Sequence, residues 1–78
     1  MADIHYQGFS LLAIHPQFVV LNKAPGIGMH DEQGIPGLVS EARRQLGMML
    51  YPVHRLDKVT SGLLLLARTT EANRELSM

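Results

Sequence analysis

A chain of 78 residues without a single cysteine has only one small apolar core to hold it together. A domain this short buries roughly 60% of the surface its unfolded chain exposes, so its stability is marginal. Neither a disulfide framework nor a thiolate metal site can supplement it. The absence of cysteine is compatible with a reducing cytoplasm, the expected location. Seven Lys and Arg against seven Asp and Glu give a formal net charge of zero. That balance excludes the strongly basic class of nucleic-acid binder and leaves room only for a local basic patch. No segment approaches the run of about 20 apolar residues a membrane-spanning helix needs. Met1-Ala2-Asp3-Ile4-His5 has no basic stretch ahead of an apolar one, so no secretory signal is expected. The expectation is a soluble intracellular protein with no membrane partner.

Glycine and proline divide the chain into short elements. Phe9–Ile14 reads as a strand. Phe18-Val19-Val20-Leu21, set between Pro16 and Ala24-Pro25-Gly26, reads as a second strand covered on both faces. Pro25-Gly26 is a turn signal. Ile27-Gly28-Met29-His30 is expected to be a short strand and Asp31–Gly34 a polar loop. Leu38, Val39, Ala42 and Leu46 recur at helical spacing, with Pro36 suited to the first turn and Gly47 to the end. Met48-Met49-Leu50 is connecting sequence. Leu63–Ala67 follows Gly62 as a further strand, and Thr69 or Thr70 caps a last helix starting at Glu71. Leu12, Phe18 and the leucines from Leu63 to Leu66 are the expected core. The alternation implies a mixed α and β architecture, without fixing strand direction.

Chemistry-bearing residues are densest in His54-Arg55-Leu56-Asp57-Lys58-Val59-Thr60-Ser61-Gly62. A carboxylate on a loop at the rim of a sheet is well placed to meet a substrate. A cation from Arg55 or Lys58 would favour ionised Asp57, keeping it available as nucleophile or base. Thr60, Ser61 and Gly62 form a tight turn whose hydroxyls and amides can orient that carboxylate. The same residues also suit a plain polar turn with an Asp–Arg ion pair. Lys23, beside a turn, reads as solvated. His54 reads either as a ligand contact or as a satisfied, buried hydrogen-bonding residue. His5, His15, His30 and His54 show no metal-ligand spacing, so no metal is expected.

The run from His54 to Ala67, HRLDKVTSGLLLLA, resembles the signature H-R-L-D-x-x-T-S-G-L-L-L-x-A of the RluA-type RNA pseudouridine synthases. Val19–Gly26 is similar to that family's strand followed by N-K-P-x-G, with Ala24 at the usual proline position and Pro25 after it. The likeness spans roughly residues 11 to 78. It implies an α+β fold, a mixed, largely antiparallel sheet with flanking helices. It also implies isomerisation of uridine to pseudouridine in ribosomal or transfer RNA. Asp57 matches the family's catalytic aspartate, whose role as ribose nucleophile or proton-abstracting base stays open. Arg55 matches the arginine that fills the gap left by the everted base, a place suited to a flat, permanently charged group. The resemblance requires no metal and no cofactor. His54, Lys58, Lys23, Thr60 and Ser61 join Arg55 as candidate RNA contacts, and Arg43, Arg44 and Arg68 as candidate phosphate contacts.

The family also uses a uracil-stacking tyrosine and a basic partner for the aspartate, and neither is matched in these 78 residues. The chain is therefore expected to be a single partial domain. It would be the N-terminal portion of a catalytic domain, without a separate N-terminal RNA-binding domain, inactive alone and open to self-association. Three alternatives remain: a non-catalytic RNA-binding or interaction module, an unrelated aspartate enzyme such as a phosphotransferase, and a structural domain without chemistry. The phosphotransferase lacks a glycine-rich phosphate loop and an Asp-Phe-Gly element here.

Overall fold

A computed structural model of the chain describes residues 3–78. Its elements run β1 (Ile4–Tyr6), β2 (Phe9–Ile14), β3 (Phe18–Lys23), α1 (Leu38–Leu46), β4 (Tyr51–Pro52), β5 (Gly62–Ala67) and α2 (Thr70–Leu76). The five strands form one sheet in the order β1-β2-β3-β5-β4. Every pairing is antiparallel, so the fold is α+β with two flanking helices. Among the described residues no helix is long and apolar enough to cross a membrane.

Period-2 alternation decides which side chains enter the core. Val19, Leu21 and Lys23 of β3 share a face with Leu66, Leu64 and Gly62 of β5, their register partners. Phe9 and Leu11 of β2 extend that face through their pairing with Lys23 and Leu21. Leu38, Val39 and Ala42 of α1 close over it together with Met29 and Leu50. The helical spacing therefore reports its buried stripe correctly, with Leu46 half-buried at its end.

The opposite face corrects three expectations. Leu64 and Leu66 are core, but Leu63 is 64% exposed and Leu65 half-buried, because alternate residues of one strand cannot share one core. Phe18 is only half-buried, since it pairs with Ala67 on that second face and stacks on His15 at 4.3 Å. Leu12 is half-buried because the register slips between Leu11 and Ala13, leaving it as the extra residue of a bulge.

Residues 27–30 form no strand. The carbonyls of Gly28 and Met29 accept the N–H groups of Leu38 (2.7 Å) and Val39 (3.1 Å), so the segment satisfies the first turn of α1 instead of a sheet ladder. Gly37 is the N-cap, which leaves Pro36 one residue outside the helix. A side chain at Gly37 would collide with the carbonyl carbon of His30, so this close approach requires glycine. Asp31 Oδ1 accepts from Gly37 N–H (2.9 Å) and Ser40 Oγ (2.7 Å). Gly47 ends the helix in the left-handed region at φ 67°. Thr69 caps α2 by accepting Ala72 N–H at 3.0 Å. β1 and β4 were not expected from the sequence. Both are short, and β4 contains a proline that suits its place at the sheet edge.

Candidate active site

The polar run lies where β4 leaves the sheet and β5 enters it. Val53 N–H reaches Leu65 C=O at 3.3 Å, and His54 Nε2 accepts Leu65 N–H at 3.1 Å. The imidazole thus takes the place of a strand carbonyl at the edge of β5. This requires a neutral ring with its proton on Nδ1. His54 is exposed and bonded, neither buried beneath the loop nor free of structural duty.

After His54 the chain leaves the sheet, and Asp57–Thr60 close a turn in which Thr60 N–H donates to Asp57 C=O at 2.9 Å. Asp57, Lys58, Thr60 and Ser61 are exposed. Among the described residues no hydroxyl of Thr60 or Ser61 bonds the Asp57 carboxylate. The turn fixes that residue through its main chain instead.

β3 supplies the support. The turn Ala24-Pro25-Gly26 places Gly26 at φ 94°, where glycine is favoured, and Gly26 N–H donates to Lys58 C=O at 2.7 Å. Lys23 is 1% exposed, and its Nζ donates to the carbonyls of Ala24 (3.0 Å), Lys58 (3.1 Å) and Thr60 (2.7 Å). The expectation of a solvated Lys23 is therefore corrected, since its ammonium is enclosed and bonded to three carbonyls. A signal was present in the sequence: Lys23 continues the period of Val19 and Leu21, so an extended strand turns it inward. Burial holds its ammonium below the usual lysine range, and the Asp57 carboxylate acts against that shift. Among the described residues no ion pair joins Asp57 to Lys23, Arg55 or Lys58.

Beside the turn lies a groove of about 210 Å³ walled by Arg55, Leu56 and Lys58 on one side and by Met29, His30 and Glu32 on the other. It borders a second hollow of about 300 Å³ that shares Gly28, His30, Glu32 and Lys58 and reaches Pro36 and Glu41. Lys58 Nζ stands 4.0 Å from Glu32 Oε2 with both side chains exposed. Such a contact contributes about 0–1 kcal/mol, so Lys58 is readily diverted to an anion. Arg55 is exposed and has no hydrogen-bond or ion-pair partner among the described residues. Arg43, Arg44 and Arg68 are engaged elsewhere, with Leu50 C=O (2.9 Å), Glu41 (2.8 Å) and His15 C=O (3.1 Å). The structure does not bring those three arginines to the loop. Among the described residues no group of three or more His, Cys, Asp or Glu is arranged to hold a metal ion.

Asp57 thus stands exposed on this turn between Leu56 and Lys58, two of the residues that wall the groove. The exposed side chains of Arg55 and Lys58 border that groove together with Glu32. The chain belongs to the RNA pseudouridylate synthase family, whose model it matches over residues 17–78. It is 45% identical over 64 residues to a Haemophilus influenzae protein named as an uncharacterized RNA pseudouridine synthase, covering 81% of this chain and 29% of that one. It is 46% identical over 61 residues to the ribosomal large subunit pseudouridine synthase C of Haemophilus ducreyi, covering 74% of this chain and 19% of that one. The tRNA pseudouridine synthase C of Pectobacterium carotovorum is 38% identical over 81 residues, covering 99% and 20%. The chain thus spans less than a third of the length of these relatives.

Proposed function

We propose that these residues form part of an enzyme that isomerises uridine to pseudouridine in structured ribosomal or transfer RNA, with Asp57 as its essential carboxylate. The supporting observation is the joining of the two motifs: Lys23 and Gly26 from one hold the main chain of the other, leaving Asp57 exposed above it. A uridine turned out of its stack would bring its ribose to that carboxylate, at a cost of a few kcal/mol for unstacking. Asp57 then initiates cleavage of the bond between uracil and ribose, and the freed base rejoins through carbon. Arg55, exposed and uncommitted, occupies the gap left by the base, and Lys58 meets a phosphate. Lys23 leaves the set of RNA contacts, and Thr60 and Ser61 remain in it as exposed hydroxyls.

A second reading of these 78 residues is RNA binding without turnover, through the exposed Arg55 and Lys58 beside the groove. No residue of the 78 matches the family's uracil-stacking tyrosine or the basic partner of its aspartate. The isolated chain is accordingly expected to show little or no turnover. The two readings separate in a chimera of the Haemophilus influenzae relative carrying residues 17–78 of this chain in place of its own matching segment. Chromatographic nucleoside analysis of treated ribosomal and transfer RNA should then reveal pseudouridine. A folded chimera that binds RNA and forms none supports the binding module instead.

A further inference from the structure

Glu32 and Ile35 bracket a two-residue hairpin turn across the groove from the Asp57 loop. Glu32 N–H donates to Ile35 C=O at 3.0 Å, and Ile35 N–H to Glu32 C=O at 2.8 Å. Between them Gln33 (φ 50°) and Gly34 (φ 79°) both take the left-handed backbone that so tight a turn demands. Gln33 is the one non-glycine at positive φ among the described residues. Paired positions project to one face, so the hairpin offers a carboxylate and an apolar side chain together. Both line the hollow of about 300 Å³, where Ile27 and Pro36 extend the apolar wall. Ile35 is 69% exposed and lies outside the core. The Glu32 carboxylate leans back over Gly28, where a Cβ would lie 3.5 Å from Oε2. Facing it is Lys58 Nζ at 4.0 Å, one residue from Asp57. The other acid of the hollow, Glu41, is held by Arg44 at 2.8 Å.

An apolar wall rimmed by an acceptor-only group and a donor-only group suits a splayed nucleobase. The face of the base packs on the wall and its edge meets the polar pair. We propose that this hollow is a subsite for a guanine flanking the target uridine, with Glu32 as the residue that selects it. Among the four bases guanine alone sets two adjacent donors, N1–H and the N2 amino group, beside a carbonyl oxygen, O6. One carboxylate accepts from both donors while Lys58 donates to O6. The ammonium's other N–H groups stay free for a phosphate. Cytosine and adenine each offer a single amino group beside ring acceptors. The N3–H of uracil lies between two carbonyls that repel a carboxylate. Both hollows share Glu32 and Lys58, so a strand with its uridine ribose at Asp57 has the adjoining base within reach of the hairpin. That the guest belongs to substrate RNA rests on the function proposed above, whereas the match to guanine rests on the hollow itself.

The test titrates the 78-residue chain with the 5′-monophosphates of guanosine, adenosine, cytidine and uridine in turn, following its amide ¹H–¹⁵N resonances. All four carry the same ribose and phosphate, so differences between them report the base. The guanosine nucleotide should move Gly28, Glu32 and Ile35 together and bind at least about fivefold tighter than each of the others. Glu32→Gln, at an exposed position, should abolish that preference and favour the adenosine nucleotide, since an amide pairs with adenine. Ile35→Ala should weaken the guanosine and adenosine nucleotides alike, because it removes the apolar wall and leaves the edge contacts. Equal affinities for all four, tightest binding by the uridine nucleotide, or a guanosine preference unchanged in Glu32→Gln would each overturn the subsite. In the chimera, RNA with guanosine on one side of the target uridine should react with at least about fivefold higher kcat/KM than RNA with adenosine there. Glu32→Gln should erase that difference, and turnover indifferent to the flanking base on either side overturns selection by Glu32. No turnover with any RNA counts against the enzymatic reading, and the subsite is then decided by the nucleotide titration.

Discussion

Asp31 shows how a single exposed carboxylate can serve structure at one end of the site. Its carboxyl is held below the usual 3.8, first by the Gly37 N–H and then by the Ser40 hydroxyl, both of which favour the ionised form. The folded value lies below the unfolded one, so the stabilisation is fully present above the unfolded value and is lost as pH falls through the folded value. In Asp31→Ala the denaturant midpoint should accordingly change less between about pH 5 and about pH 2 than in the unsubstituted chain. Equal slopes in the two proteins would show that the carboxylate does not stabilise the start of α1. Lys23 and His54 are residues whose type was legible but whose setting was not. A lysine beside a turn is ordinarily solvated, and only the continuation of β3 by two residues beyond Leu21 turns this one inward. His54 meets Leu65 across 11 positions of sequence, a partner fixed by the path of β4 alongside β5.

At the scale of elements, β5 offers the clearest contrast. Leu64 is 1% exposed and Leu63 is 64% exposed, although the two are chemically identical neighbours. Leu64→Ala should cost about 2–5 kcal/mol, enough to unfold a domain of marginal stability. Leu63→Ala should change stability by no more than about 0.5 kcal/mol. Urea midpoints of the two variants decide the matter, and equal losses would mean that the register is wrong. Gly37→Ala should destabilise by about 1–3 kcal/mol through the clash with His30, with α1 losing the support of residues 28–31. Strands bounded by proline and glycine were legible, and so were α1 and a threonine cap for α2, because turn chemistry and helical period are local. The choice of Thr69 over Thr70 and the start at Thr70 instead of Glu71 came from the structure. A run of leucines carries no period, so the sequence alone could not tell its inward residues from its outward ones. Residues 27–30 were misread because an apolar tetrapeptide fits both a strand and a segment that caps a helix. β1 and β4 are three and two residues long and gain definition only from the strands they pair with.

Taken as a whole, the molecule leaves part of its sheet open. The outer side of β5 pairs with β4 only at Leu66 and Ala67, and β1 forms the other edge. Ile4, Ile14 and Leu63 are more than half exposed. Open edges and apolar surface favour association, so the isolated chain is expected to sediment as concentration-dependent oligomers, weakened by Leu63→Lys. A single monomeric species at every concentration would contradict this. The family was legible because the signature from His54 to Ala67 is long and ungapped and a second motif lies upstream of it. Their physical joining through Lys23 and Gly26 emerged only in three dimensions. The central claim is that the carboxylate presented by this joined structure carries the chemistry. It is tested most directly by the single-turnover rate of pseudouridine formation in the chimera with Asp57→Asn, measured beside the unsubstituted form at saturating RNA. The rate should fall by at least about 10³-fold, roughly 4 kcal/mol of transition-state stabilisation, while RNA affinity stays within about threefold. Turnover at the unsubstituted rate would remove Asp57 from the mechanism.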